Sequence, residues 1–140
     1  MIPRLAPEGG LHPESRTFLE ELRLRGFEGD IRSDYATRLV TATDNSVYQI
    51  VPQAVVFPRN TADVATLLRL LHEPRFRAIK VSPRGGGTGT NGQSLCDGLI
   101  VDVSRHLRNI LHVDLAEGAV TVEPGVVLDQ LNAHLKPHGV

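Results

Sequence analysis

The stretch Ser82-Pro83-Arg84-Gly85-Gly86-Gly87-Thr88-Gly89-Thr90-Asn91-Gly92-Gln93-Ser94 limits the possible folds more than any other part of this 140-residue chain. Five glycines fall within the eight residues from Gly85 to Gly92, and glycine loses more backbone freedom on ordering than any other residue. Such a run is either a flexible linker or a loop whose bare backbone must approach something closely. Apolar strand-like runs flank it on both sides, Ala78 to Ser82 before and Leu99 to Val103 after, whereas flexible linkers usually separate domains. The close-approach reading is therefore preferred. Consecutive amides without side chains can turn together onto one anion. Thr88, Thr90 and Ser94 add hydroxyls, Asn91 an amide and Arg84 a fixed positive charge expected at the mouth. Pro83 to Gly92 reads as a cradle for a diphosphate.

Two other phosphate loops fail on the residues. A Walker A loop needs Lys and Ser/Thr after its last glycine, but Gly92 is followed by Gln93-Ser94. Gly87 to Gly92 matches G-x-G-x-x-G, yet the dinucleotide version requires a helix opening at the loop. Ser94-Leu95-Cys96-Asp97-Gly98 leaves little room for one before the next strand. The amides themselves must do the holding.

Around the loop the signals predict an α+β arrangement and not a regular βαβ alternation. The first dozen residues, with Pro3, Pro7, Gly9 and Gly10, read as a loose arm. A helix is expected over Glu14 to Arg25, and extended segments and turns from Gly29 to Gln53. Ala54 to Phe57 is a short strand stopped by Pro58. A helix follows, capped by Asn60 or Thr61, with a stripe of Val64, Leu67, Leu68 and Leu71. Ile110 to Val113 and Ala119 to Glu123 are expected strands of a hairpin, and Val127, Leu131 and Leu135 fall in step on a last helix. The formal charge of −1 argues against nucleic acid as the main partner. One cysteine, the absence of a signal-peptide core and the lack of a long apolar run point to a cytoplasmic protein without a transmembrane segment.

Four ordered motifs carry a family resemblance: Ala54-Val55-Val56-Phe57-Pro58-Arg59-Asn60-Thr61-Ala62-Asp63-Val64, the loop Pro83 to Gly89, Gly98-Leu99-Ile100-Val101-Asp102-Val103-Ser104, and Val120-Thr121-Val122-Glu123-Pro124-Gly125-Val126. Together they resemble the FAD-binding domain of the vanillyl-alcohol oxidase and p-cresol methylhydroxylase type. The resemblance is closest to its D-2-hydroxyacid dehydrogenase branch, and Thr43-Asp44-Asn45-Ser46-Val47-Tyr48-Gln49 looks most like the large YdiJ-type proteins. It implies an N-terminal arm and helix over 1–34 and the first subdomain of an FAD-binding domain over 35–140, a small mixed sheet packed with helices. It implies FAD as cofactor and a small 2-hydroxyacid as substrate, with Arg84 to Gly92 around the pyrophosphate and Pro58, Pro124 and Gly125 close to the adenosine portion. Some relatives carry a flavin-linking histidine where this chain has Thr88, so non-covalent FAD is expected. Family members continue into a second FAD subdomain, a substrate cap and, in the YdiJ type, an iron–sulfur segment. On that resemblance the chain is expected to be an N-terminal piece that cannot turn over substrate alone.

Other residues attract simpler readings. His134 and His138 are four apart, but Pro137 interrupts the helix that would align them. Cys96 reads as a packed or semi-exposed thiol. Asp44-Asn45-Ser46 favours a turn over a role near substrate, and Asp102 and Arg105 are placed to pair with each other. Two further functions stand beside the dehydrogenase: a nucleotide-binding or assembly module without redox chemistry, and a flavin reductase of the same fold.

Overall fold

The computed structural model describes residues 10–139. The arm expected over the first dozen residues therefore lies largely outside the described residues. Helix α1 (Pro13–Leu24) starts with proline in its first turn, where a missing N–H costs nothing, and buries Phe18, Leu19 and Leu22. Strand β1 (Asp30–Arg32) and helix α2 (Tyr35–Val40) follow. Then come β2 (Ala54–Phe57), α3 (Thr61–Leu71), β3 (Val81–Arg84), β4 (Leu99–Asp102), the hairpin β5 (Ile110–Asp114) and β6 (Ala119–Val122), and α4 (Leu128–Leu135).

The main sheet has the order β1-β2-β4-β3, with β1 antiparallel to β2 and the other pairs parallel. This is the expected α+β class with a small mixed sheet. β2 and β4 are buried along their whole length. On one face Ala54, Val56, Leu99 and Val101 join Phe18, Leu22, Phe27, Leu67, Leu70 and Phe76. On the other, Val55, Phe57 and Ile100 pack with Cys96. Phe18 meets Phe76 edge to face, with ring centroids 5.2 Å apart, a favoured aromatic geometry. Since α1 belongs to this core and β1 pairs with β2, the stretches on either side of position 34 share one hydrophobic interior.

Several expectations shift in detail. Residues 29–53 hold a strand and a capped helix where only extended segments and turns were expected; the Asp34 carboxylate accepts from Thr37 N at 3.0 Å. β3 is displaced from the expected Ala78 to Ser82: it starts at Val81 and runs on to Arg84, so Pro83 and Arg84 pair with Val101 and Asp102. On α3 the buried stripe is Asp63, Leu67 and Leu70, and Leu68 is exposed. Asp63 is placed there because its carboxylate accepts from Glu28 N at 2.9 Å and Arg59 N at 2.7 Å, while Asn60 caps the helix by accepting from Asp63 N at 2.9 Å. A negative charge at a helix N-terminus is favourable, and it here joins two preceding loop segments to α3. The hairpin forms as expected, with Asp114 accepting from Ala116 N and Glu117 N at 3.0 Å each. The last helix begins one residue after Val127 and buries none of its side chains.

Removing the Asp63 carboxylate leaves two inward backbone donors without a partner. Asp63→Ala is expected to lower unfolding stability by roughly 2–4 kcal/mol, whereas Leu68→Ala on the exposed face should change it by less than about 0.5 kcal/mol. Urea denaturation of the two variants measures both.

Candidate functional site

The parallel strands β3 and β4 end side by side at Arg84 and Asp102, and ligands in open α/β sheets bind outside such carboxyl ends. The glycine segment leaves β3 at this point. No helix forms between Gly85 and Gly98, consistent with the rejection of the dinucleotide fingerprint. The N–H groups of Gly85, Gly86, Gly87, Thr88, Gly89 and Thr90 donate to no acceptor within the described structure. Gly85, Gly86, Thr88 and Thr90 are exposed, so these amides are open to solvent and to any anion that enters.

Two clefts meet along this strip. One, of about 310 Å³, is lined by Gly85, Gly86 and Thr88 on one side and by Ser104, Arg108, Pro124, Gly125 and Gln130 among others across from them. The other, of about 550 Å³, is lined by Pro83, Gly85 to Gly89, Gln93 and Ser94. The structure thus brings Pro124 and Gly125 to the glycine strip, although 32 positions separate Gly92 from Pro124. The hairpin stem does this. Glu123 N donates to Asn109 O at 2.9 Å, the Glu123 carboxylate accepts from Asn109 N at 2.8 Å, and Gly125 N donates to Leu107 O at 2.7 Å. Gly125 sits so close to the carbonyls of Val103 and Leu107 that a side chain there would strike both.

Other nominated residues are placed differently. Pro58 is fully buried at the end of β2 and lines neither cleft. Thr90, Asn91 and Gly92 also lie outside both linings. Asn91 N is engaged by the Gln93 side chain at 3.0 Å. Gly92, at φ +76°, packs against the Tyr48 ring. Arg84 does not stand at the mouth as expected: its guanidinium lies against Gly87, and its Nη1 is 3.5 Å from both Thr41 O and Ser94 Oγ. The cation that does line a cleft is Arg108. Sequence reasoning missed it, together with Ser104 and Gln130; Ser104 and Arg108 follow the end of β4 and Gln130 lies in the first turn of α4, and the position of the first two beyond a strand end is the signal that would have found them.

The surrounding polar contacts settle the remaining expectations. Asp102 does not pair with Arg105: its Oδ1 accepts from Ser104 N at 2.9 Å and Ser104 Oγ at 2.6 Å. Arg105 reaches Asp30 at 3.1 Å and covers the Phe57 ring at 3.4 Å from its centroid. His106 Nε2 also contacts Asp30, at 2.9 Å. Asp44 forms the expected turn, accepting from Ser46 N at 2.8 Å. The Cys96 thiol donates to Leu99 O at 3.3 Å, and burial pushes its pKa up, as suits a packed, unreactive thiol. The His134 and His138 rings come within 6.4 Å despite Pro137, but no group of three metal-ligating side chains occurs among the described residues.

Two predictions follow from this geometry. A Cβ at Gly85 meets nothing and at Gly86 only Thr88 Cγ2 at 3.6 Å, whereas Gly87 has φ +67° and would drive a side chain into Arg84. Gly85→Ala and Gly86→Ala should fold normally. Gly87→Ala should lose at least about 1–2 kcal/mol, the cost of a side chain in left-handed backbone, as read from thermal unfolding. The second concerns Asp30, whose pKa is lowered first by the His106 hydrogen bond and then by Arg105. A carboxylate with a lowered folded pKa stabilises above the ordinary aspartate value of 3.8, and that stabilisation disappears as pH falls through the folded value. The stability gap between wild type and Asp30→Asn should therefore be full at neutral pH and should shrink below that value.

Known proteins resemble this chain in sequence and in fold. A family model described as an FAD binding domain matches residues 52–140. The D-2-hydroxyglutarate dehydrogenase of Pseudomonas putida is 61% identical over 139 residues, covering 99% of this chain and 13% of that protein. The Escherichia coli K12 protein of the same name is 52% identical, with 99% and 14% covered. The chain thus spans about one-seventh of the length of these relatives. Among solved structures, an alkyldihydroxyacetonephosphate synthase superposes with a TM-score of 0.76 at 20% identity, over 99% of this chain and 26% of that one. A p-cresol methylhydroxylase with substrate bound superposes at 0.71 and 15% identity, over 97% and 27%. These two likenesses speak for the fold. With more than half of its residues matched by the family model, the chain belongs to the FAD-binding domain family.

Proposed function

We propose that the strip Gly85–Thr90, together with Pro124 and Gly125, holds the diphosphate of FAD, and that the protein takes part in flavin-dependent oxidation of a D-2-hydroxyacid of the D-2-hydroxyglutarate class to its 2-oxoacid. The observation that carries the reading is the run of six amides from Gly85 to Thr90 without an acceptor among the described residues, five of which, Gly85 to Gly89, line two adjoining clefts. The residues present fit the cofactor's handle: Gly85 and Gly86 leave open the space that side chains would fill, Thr88 offers a hydroxyl, and Arg108 offers a positive charge. Strong sequence similarity to two D-2-hydroxyglutarate dehydrogenases supports the substrate class.

Binding is non-covalent in this proposal. A covalent flavin link needs a nucleophilic side chain, and residues 83–94 contain no His, Cys or Tyr. When bound, the flavin supplies the acceptor for the hydride equivalent. This chain's own residues bind and orient the diphosphate. Gly125 allows the 123–126 turn to lie against Val103 and Leu107, which brings Pro124 to the strip. Ser104 and Gln130 border the same cleft and offer polar groups to the ligand portion beyond the phosphates.

The test is ligand binding by calorimetry with FAD, ADP and FMN. ADP should compete with FAD, because both present a diphosphate, while FMN should bind poorly. Gly86→Asp folds normally in this account but places a carboxylate among the amides, and it should weaken ADP and FAD by roughly tenfold or more. Unchanged affinity in that variant would contradict the cradle.

A further inference from the structure

A strip of glycines cannot hold six amides in one shape unaided, so whatever fixes it from behind belongs to the site. Three contacts do this, and all come from residues 41–48, which precede the segment that the family model matches. Thr41 O lies 3.5 Å from Arg84 Nη1. Asp44 Oδ2 accepts from Ser94 Oγ at 3.3 Å. The Tyr48 ring backs Gly92. A fourth contact closes the base of the loop, where Ser82 Oγ donates to Gln93 O at 2.9 Å.

The middle contact has direction and charge. Arg84 Nη1 approaches Ser94 Oγ at 3.5 Å, and Ser94 passes its own proton donor to Asp44. A guanidinium and a carboxylate thus stand at the two ends of a short relay through a hydroxyl. The carboxylate is fixed by its other oxygen, which accepts from Ser46 N at 2.8 Å. The guanidinium in turn occupies the space beside Gly87 that a side chain would need. Arg84 distances of 3.5 Å are long for hydrogen bonds, and the Asp44 carboxylate on the far side of Ser94 adds an opposite charge.

We infer that Asp44 is a positioning residue for the diphosphate site: through Ser94 it holds the Arg84 guanidinium against Gly87, and so keeps Gly85–Thr90 in the shape that receives a diphosphate. The inference rests on the cofactor reading above. It assigns Arg84 the role of a brace and not that of a cation at the mouth, and it extends the binding unit back to Thr41. Ordering the loop before the ligand arrives lowers the entropy lost on binding.

The experiment measures ADP and AMP affinity, with unfolding midpoints, for wild type, Asp44→Asn, Asp44→Glu and Arg84→Lys. Asn keeps the turn acceptor for Ser46 N, so the fold should survive, while the charge is removed and the oxygen that accepts from Ser94 is replaced by an NH2 donor. Asp44→Asn should weaken ADP by about tenfold, weaken AMP less and leave the midpoint near wild type, and Asp44→Glu should recover most of the loss. Arg84→Lys keeps the positive charge without the planar fork. A brace predicts that this variant also loses ADP affinity, whereas a mouth cation predicts near-normal binding. Wild type that binds ADP alongside an Asp44→Asn that binds equally well overturns this inference alone. If Asp44→Asn unfolds, Arg84→Lys decides: normal ADP affinity there overturns the inference. Wild type that binds neither ADP nor FAD overturns the cofactor reading and this inference with it.

Discussion

The parallel pairing of β3 with β4 is the constraint on which the rest depends. Parallel neighbours need a crossover connection, which is usually a helix. Here residues 85–98 make it without one, and the return is tight: Gly98 packs against the Lys80 carbonyl so closely that a side chain would collide with it. A crossover lacking a helix cannot satisfy its own amides by i to i−4 bonds. Those of Gly85 to Thr90, which follow the carboxyl end of β3, have no acceptor among the described residues. The exposed run of glycine amides is thus a direct consequence of the sheet's topology.

The buried faces of β2 and β4 make that topology rigid. Both strands are buried on both faces: α1 and α3 cover one, and on the other Val55, Phe57 and Ile100 are buried with Cys96 beside them and Arg105 over the Phe57 ring. The hairpin and α4 are different. α4 has no buried residue, and Leu111, Leu115 and Leu128 are largely exposed. They are joined to the sheet mainly through residues 103–109 and 123–126, which are the residues that bring Pro124 to the glycine strip. The firm part of the fold carries the amides, and the less firmly packed part carries the opposite wall.

Much of this was legible in the sequence where the cause is local. Five glycines between two apolar strands declare a loop that must approach a partner, and the Asp114–Gly118 turn with Asp114 as acceptor declares a hairpin. The parts that were not legible depend on distant partners. β1 is only three residues long and exists because Asp30, Ile31 and Arg32 find Phe57, Val56 and Val55. Leu68 fits a helical stripe by spacing, yet Asp63 wins the buried side because two backbone donors from other segments converge on it. Arg84 looked like a cation free to meet a ligand, but a carboxylate forty residues earlier stands on its other side. Sequence periodicity contains no term for such tertiary choices.

The central claim is that the backbone amides of Gly85 to Thr90 grip the diphosphate. Amide chemical-shift mapping of the isotope-labelled protein during titration with ADP tests it most directly. The account predicts that the largest shifts fall on Gly85, Gly86, Gly87, Thr88, Gly89 and Thr90, with a second set at Gly125 and Val126, and that FMN reproduces them weakly. Saturable ADP binding whose shifts fall elsewhere, with the glycine amides unmoved, would contradict it.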